Sequence, residues 1–302
     1  MTKHSIAAAC ALTLATFGVV STSVAGTAVA SGKETKKVTE VIKESCITGD
    51  IGLAVVSEYV SRGIVQENQG FIAQPYLDLY FKLYEGTGFF NKVSLNAGLW
   101  SSFHSNHTAA TPGTSLAAWY DQDWTAGLAI TFAKNFTLTA SWFDEEFPSS
   151  STRGGAVNVN LAYDDTDLLG AFALHPHVAV LKSMIGNYVG VVGGSNGWYY
   201  EAGIAPGFTI GKGGAYPVAV TIPLTVGLGS ETYNGDDYGF FSAGLNASVP
   251  LAFIPSCYGS WTYTAGFTYL NLGGQAAAAS NPAVTNGDHN QFVFSGAVGL
   301  TF

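Results

Sequence analysis

The sequence predicts an all-β fold: a closed antiparallel transmembrane β-barrel of twelve strands, preceded by a short N-terminal periplasmic segment. Three observations carry this. From Asp50 onward apolar and polar residues alternate with a period of two, which in a strand sends them to opposite faces. Charged residues make up 11% of the chain and hydrophobic residues 47%, whereas a soluble domain carries about 25% charged residues. Yet no apolar run after Ala30 is as long as the roughly 20 residues of a helical membrane span. A large secreted β-sandwich shares that composition. The third observation separates the two: the chain closes on an alternating segment, Gln291 to Phe302, whose last residue is aromatic, and it opens on a secretion leader.

Residues 1–30 read as a signal peptide, with Lys3 and His4 at its start, an apolar stretch from Ile6 to Val20, and an A-x-A site at Ala28-Val29-Ala30. Residues 31–49 crowd Lys33, Glu34, Lys36, Lys37, Glu40, Lys43 and Glu44 together and read as a periplasmic leader or a short helix. Residues 50–302 form the barrel. The strands are expected at 50–62, 71–84, 92–104, 118–132, 136–146, 155–163, 171–180, 198–210, 216–229, 238–249, 258–270 and 290–302. In the second, Phe71, Ala73, Pro75, Leu77, Leu79, Phe81 and Leu83 share one face, and Gln74, Tyr76, Asp78, Tyr80 and Lys82 the other. In the ninth, Val218, Val220, Ile222, Leu224, Val226 and Leu228 point outward. Pro75, Pro176, Pro206 and Pro223 each remove a ladder donor, so local bulges are expected there.

With both termini periplasmic, the connections sort by length. Ala133-Lys134-Asn135, Asp164–Asp167 and Gly211–Ala215 are inner turns, while 105–117, 147–154, 181–197 and 271–289 are outer loops. Outward aromatics sort by height into two belts. Tyr59, Phe103, Tyr120, Trp124, Trp142, Trp198, Tyr200 and Tyr269 form the outer one, and Phe81, Phe132, Phe136, Phe208, Tyr216 and Phe302 the inner one.

The segment Ser57-Glu58-Tyr59-Val60-Ser61-Arg62-Gly63 resembles the opening strand of the TorF-type putative porins, which carries a Ser-acid-Tyr-x-x-Arg-Gly pattern. Gly98-Leu99-Trp100-Ser101-Ser102 is similar to that family's later Gly-x-Trp-x-Ser segment. Ser61 departs from the family, which usually places an aromatic before the arginine. The resemblance covers the first third of the barrel and the terminal Phe302. It implies an outer-membrane barrel with a pore role and no assigned substrate.

On this register the lumen is lined by Glu58, Arg62, Asp78, Lys82, Asp121, Asp123 and Glu201, with Glu145 near a rim and neutral polar groups such as Asn96, Thr139 and Asn160 between them. Glu58 and Arg62, four apart on one face, either brace the wall or set a transverse field. Small, polar, mildly acidic lining fits a narrow aqueous passage better than an apolar plug. His175 and His177 share a face but lack a third metal ligand at fixed spacing. Gly193–Gly197 matches G-x-S-x-G outside the strand-turn-helix context that motif needs. Asn234-Gly235-Asp236-Asp237 reads as a turn. No cofactor or metal is expected.

The implied role is passive diffusion of small polar solutes or ions, with mild cation preference, in the bacterial outer membrane. Two alternatives stay open: a non-conducting structural or adhesive barrel, and a lipid hydrolase using His104, His107 or His289 with Ser102, Ser105 or Ser280. The expected partners are outer-membrane lipid, the barrel-assembly machinery through the C-terminal strand, and the solutes themselves. A net charge of −9 argues against nucleic acid. Cys46 and Cys257, both expected at the periplasmic end, would form a disulfide clamping the leader. The register makes one prediction directly. Cysteines introduced in 105–117 or 271–289 should react with an impermeant reagent on intact cells, and a cysteine at Lys134 should not; labelling at Lys134 would contradict the register.

Overall fold

The computed structural model describes residues 45–106, 118–148, 152–186, 197–214, 216–229, 232–233, 235–280 and 287–302. The signal peptide, nearly all of the leader, the Gly193–Asn196 stretch and Asn234 lie outside the described residues. The strands are β1 (Ile47–Val56), β2 (Tyr59–Ser61), β3 (Ile64–Glu67), β4 (Ile72–Glu85), β5 (Phe90–His104), β6 (Trp119–Phe132), β7 (Phe136–Phe147), β8 (Thr152–Tyr163), β9 (His177–Ile185), β10 (Trp198–Ile204), β11 (Gly207–Ile210), β12 (Val218–Thr221), β13 (Leu224–Leu228), β14 (Tyr238–Pro250), β15 (Ser260–Leu272) and β16 (Asn290–Thr301). Two short helices, α1 (Thr166–Leu169) and α2 (Gly274–Ala279), lie in connections.

Fourteen of these strands form one antiparallel sheet closed on itself. Because β10 and β11 are one stave broken in two, and β12 and β13 another, the wall is a twelve-strand barrel. The seam joins β1 to β16, from Asp50 opposite Thr301 to Val56 opposite Ser295. Past the seam, Gly49 and Phe302 exchange two backbone hydrogen bonds of 2.9 Å. The period-two pattern sets the faces. Leu53, Leu95, Leu128, Val159, Val178, Leu245 and Phe294 are exposed on the outside, whereas Asn96, Thr139, Asn160 and Thr264 are buried inside.

The breaks fall at prolines. Ala205-Pro206 interrupts the eighth stave and Ile222-Pro223 the ninth. Each proline keeps its carbonyl in the ladder: Pro206 accepts from the Ile222 N–H at 2.8 Å and Pro223 from the Gly244 N–H at 2.8 Å. Aromatic rings gather at the rim formed by the short turns. Phe89 packs against Phe90 and Phe132, Phe132 against Phe136, and Phe136 against Tyr163, at centroid distances of 5.1, 5.7, 5.6 and 4.6 Å. Phe103–Trp119 and Trp198–Tyr200 pairs lie toward the opposite rim. Tyr59 and Tyr120, expected in that outer belt, are instead buried inside the barrel.

Three further expectations are corrected. The first strand does not run to Arg62: β1 ends at Val56, and the chain folds inward as the hairpin β2–β3. The turn is responsible, since Arg62 and Gly63 both have positive φ, 48° and 79°, which is the geometry of a two-residue hairpin loop. At Gly63 an added Cβ would lie 2.7 Å from the Phe240 ring, so the tip fits against the wall only with glycine there. The seventh strand begins at His177 rather than 171, because 166–172 coil as α1 and a single 3-10 turn. Asp165 closes that turn by accepting the Leu174 and His175 N–H groups at 3.0 and 2.9 Å. The third correction concerns the disulfide: Cys46 and Cys257 are exposed, separate thiols. The Cys46 carbonyl accepts from the Lys82 N–H at 2.8 Å, which ties Cys46 to β4, on the side of β1 away from β15. With β16 also intervening, about 10 Å of sheet separates the two strands, beyond the roughly 7 Å Cα reach of a disulfide. Mass analysis of native protein prepared without reductant should therefore find both thiols alkylated; a linked Cys46–Cys257 peptide would contradict this packing.

Candidate functional site

The inner wall differs between its two ends. In the half bounded by short turns it is polar: Ser94 and Asn96 on β5, Thr137 and Thr139 on β7, Asn158 and Asn160 on β8, and Thr264 on β15 are all buried inside. Asp78 faces Asp50 across the β1–β4 ladder, and the Thr301 hydroxyl donates to Asp50. The Asp78 carboxylate lies over Gly98, where an added Cβ would meet its Oδ1 at 2.5 Å. A glycine at that position leaves room for the carboxylate. Lys82 sits near the rim and bridges Glu85 at 2.8 Å. A bulge between Lys82 and Tyr84 brings the two residues to the same side.

The other half is packed. The hairpin β2–β3 enters the lumen and buries Tyr59, Val60 and Val65 against Val56, Ile72, Trp100, Leu270, Leu272 and Val293 of the wall. Helix α2 adds Ala276 and Ala277. Hydrogen bonds fix the hairpin on several sides. Tyr59 OH donates to Asp121 Oδ2 at 2.6 Å, the Val65 N–H to Ser280 Oγ at 2.9 Å, and Tyr120 OH to Gln66 Oε1 at 2.7 Å. At the tip, Tyr233 OH donates to the Arg62 carbonyl at 2.8 Å. The expected aqueous passage is therefore filled at this end by an apolar core, because the chain turns inward after β1 instead of continuing up the wall.

The charged residues regroup around that hairpin. Glu58 and Arg62 no longer share a strand face, since β1 stops before either. Glu58 lies where the chain turns in, and its Oε2 is buried without a hydrogen bond. Arg62 is buried, and its charge acts on Asp121, Asp123 and Glu145. Asp123 on β6 and Glu145 on β7 are direct ladder partners. One carboxylate oxygen from each of Asp121, Asp123 and Glu145 lies within 4.8 Å of the others. The Arg62 guanidinium stands 6.0 Å from the Phe143 ring centre. Glu201 on β10 accepts from Tyr199 OH at 2.7 Å and lies 3.4 Å from His177 Nε2. His175, expected to share a face with His177, is turned away with φ 50° and lies 3.6 Å from Asp164.

The structure also joins two residues of the hydrolase alternative. Ser102 Oγ and His104 Nε2 are 2.8 Å apart. Both are buried, with His104 stacked on Tyr120 at 4.6 Å, so the pair lies inside the packed half of the lumen. Sequence reasoning turned Tyr76 inward but did not place Tyr59, Trp100, Tyr120, Phe143 or Tyr199 inside this half. Parity contained the signal for Trp100, Phe143 and Tyr199, because Trp100 shares a face with Asn96, Phe143 with Glu145 and Tyr199 with Glu201. For the hairpin the signal was Arg62-Gly63 between apolar pairs.

No family model matches the chain, and no curated protein matches it. Several solved structures align with most of the chain. The KdgM porin is 10% identical, with 84% of this chain and 99% of that chain covered and a TM-score of 0.42. An outer membrane channel from Pseudomonas putida F1 is 13% identical over 89% and 100%, with a TM-score of 0.46. LpxR from Salmonella typhimurium is 7% identical over 84% and 99%, with a TM-score of 0.44.

The docking of the hairpin yields a prediction. Tyr59→Phe removes a hydrogen bond to a carboxylate and should weaken docking by about 1.5–3 kcal/mol. Trypsin should then cut faster after Arg62 in the folded barrel; unchanged cleavage would show that the Tyr59–Asp121 contact does not hold the hairpin.

Proposed function

We propose that this chain is an outer-membrane channel for passive diffusion of small polar solutes or ions, with mild cation preference, and that the inward hairpin closes it at rest. The observation that carries this reading is the contrast between the two halves of the lumen. Where the barrel is filled, the chain uses apolar side chains and a docked hairpin. Where it is not, the inner wall is polar around much of its circumference, while the outer face of the same strands is apolar and suited to lipid. Wall carboxylates at Asp50, Asp78, Asp121, Asp123, Glu145 and Glu201 outnumber the inward bases Arg62 and Lys82. Their summed field favours cations. No reaction is part of the proposal, since the Ser102–His104 pair lies under Tyr59 and Tyr120, away from bulk water and from lipid. The partners are outer-membrane lipid outside, solutes inside, and the assembly machinery acting on the strand that ends at Phe302.

A second reading is favoured by the packed core itself: a non-conducting structural barrel. Bilayer conductance separates the two. The wild-type protein should conduct little, and a variant with residues 58–70 replaced by a short Gly-Ser linker should open steadily. Its reversal potential should show cation preference at low salt. That preference should fade at 1 M, where the screening length is about 3 Å. Absence of conductance in a correctly folded linker variant would establish the non-conducting barrel, and anion preference would refute the assignment of the wall acids.

A further inference from the structure

A wall has no structural need for three carboxylates at one point. Asp123 and Glu145 face each other directly across β6 and β7, an arrangement that repels. Asp121 joins them, and all three are at least nine-tenths buried, at 0%, 3% and 5% exposure for Asp121, Asp123 and Glu145. Buried carboxylates that stay ionised require a cation or a full set of donors. The cation present is Arg62, which is carried on the hairpin and not on the wall. It leaves the demand unmet: Asp121 Oδ1 and Asp123 Oδ1 are buried and accept no hydrogen bond. Phe143 presents its ring beside the guanidinium, which adds a face on which a planar cation gains attraction.

We propose that Asp121, Asp123 and Glu145, with Phe143, form a recognition site for a solute carrying a guanidinium group, and that Arg62 occupies this site as an internal stand-in that the solute displaces. A guanidinium fits better than a divalent metal. Its donors lie in a plane and pair with several carboxylate oxygens at once, and it uses the aromatic face, which a metal bound by oxygen ligands does not. Displacement would remove the hairpin's only basic residue from its seat and so couple solute arrival to opening. The coupling rests on the channel reading; the binding does not.

Calorimetric titration of the full barrel in nanodiscs with arginine amide tests the site without reference to conduction. Arg62→Ala should bind it about tenfold more tightly than wild type, because a seat occupied by its own arginine lowers apparent affinity by the vacant fraction. Adding Asp123→Asn and Glu145→Gln to Arg62→Ala should abolish the gain. If Arg62→Ala does not give a heat-modifiable barrel, Arg62→Gln keeps the side-chain length without the charge and should show the same gain. Equal affinity in wild type and a folded Arg62 variant would overturn the proposal, as would tighter binding of calcium chloride than of arginine amide. Binding without conductance in the linker variant would leave the site standing and remove the channel; conductance without binding would do the reverse.

Discussion

Everything in this fold follows from the requirement that backbone amides at membrane depth be paired. An unpaired peptide group in hydrocarbon costs several kcal/mol, so a sheet that crosses lipid has to close. Here closure is the β1–β16 seam, extended by the mutual bonds of Gly49 and Phe302. Closure then fixes which residues face in. With a period of two, each strand contributes Leu, Phe or Val outward and Asn, Thr, Ser or an acid inward, and a one-residue slip would exchange the two sets. The prolines respect the same rule. Pro206 and Pro223 break their staves while their own carbonyls remain paired.

Closure also makes the inward hairpin possible. Inside a barrel the walls already have their ladder bonds, so a segment that enters has to bring its own. The β2–β3 pair satisfies itself around the Arg62-Gly63 turn and turns its apolar side chains against the wall. Its polar groups find Asp121, Ser280, Tyr120 and Tyr233. The outer half of the lumen thereby resembles the core of a soluble domain, and the charge on Arg62 is delivered to the wall beside Asp121, Asp123 and Glu145.

The barrel was legible in the sequence because its signal is periodic. Leu53, Leu128 and Val159 outside, and Asn96, Thr139 and Asn160 inside, fall where parity puts them. Strand ends were less legible. The seventh strand was misplaced because Asp165 closes a turn through contacts nine and ten residues away, and alternation does not encode those. The hairpin was hidden for a different reason. Tyr59-Val60-Ser61 and Ile64-Val65 continue the apolar pattern of β1, so only the Arg-Gly turn distinguishes an inward fold from a longer strand. Asp121, Asp123 and Glu201 were readable as inward residues. Their grouping with Arg62 and Phe143 depended on the hairpin and was not readable. The disulfide expected of Cys46 and Cys257 failed because compartment chemistry says nothing about which neighbour a flanking residue pairs with.

The claim on which the functional account turns is that residues 59–67 are packed inside the lumen. Hydrogen exchange of the protein reconstituted in lipid measures this most directly. Amides of Tyr59, Val60 and Val65 should exchange as slowly as those of the wall strands β5 and β6. Exchange at the rate of an unstructured loop would place the hairpin outside the barrel, and with it would go the closed state and the seat assigned to Arg62.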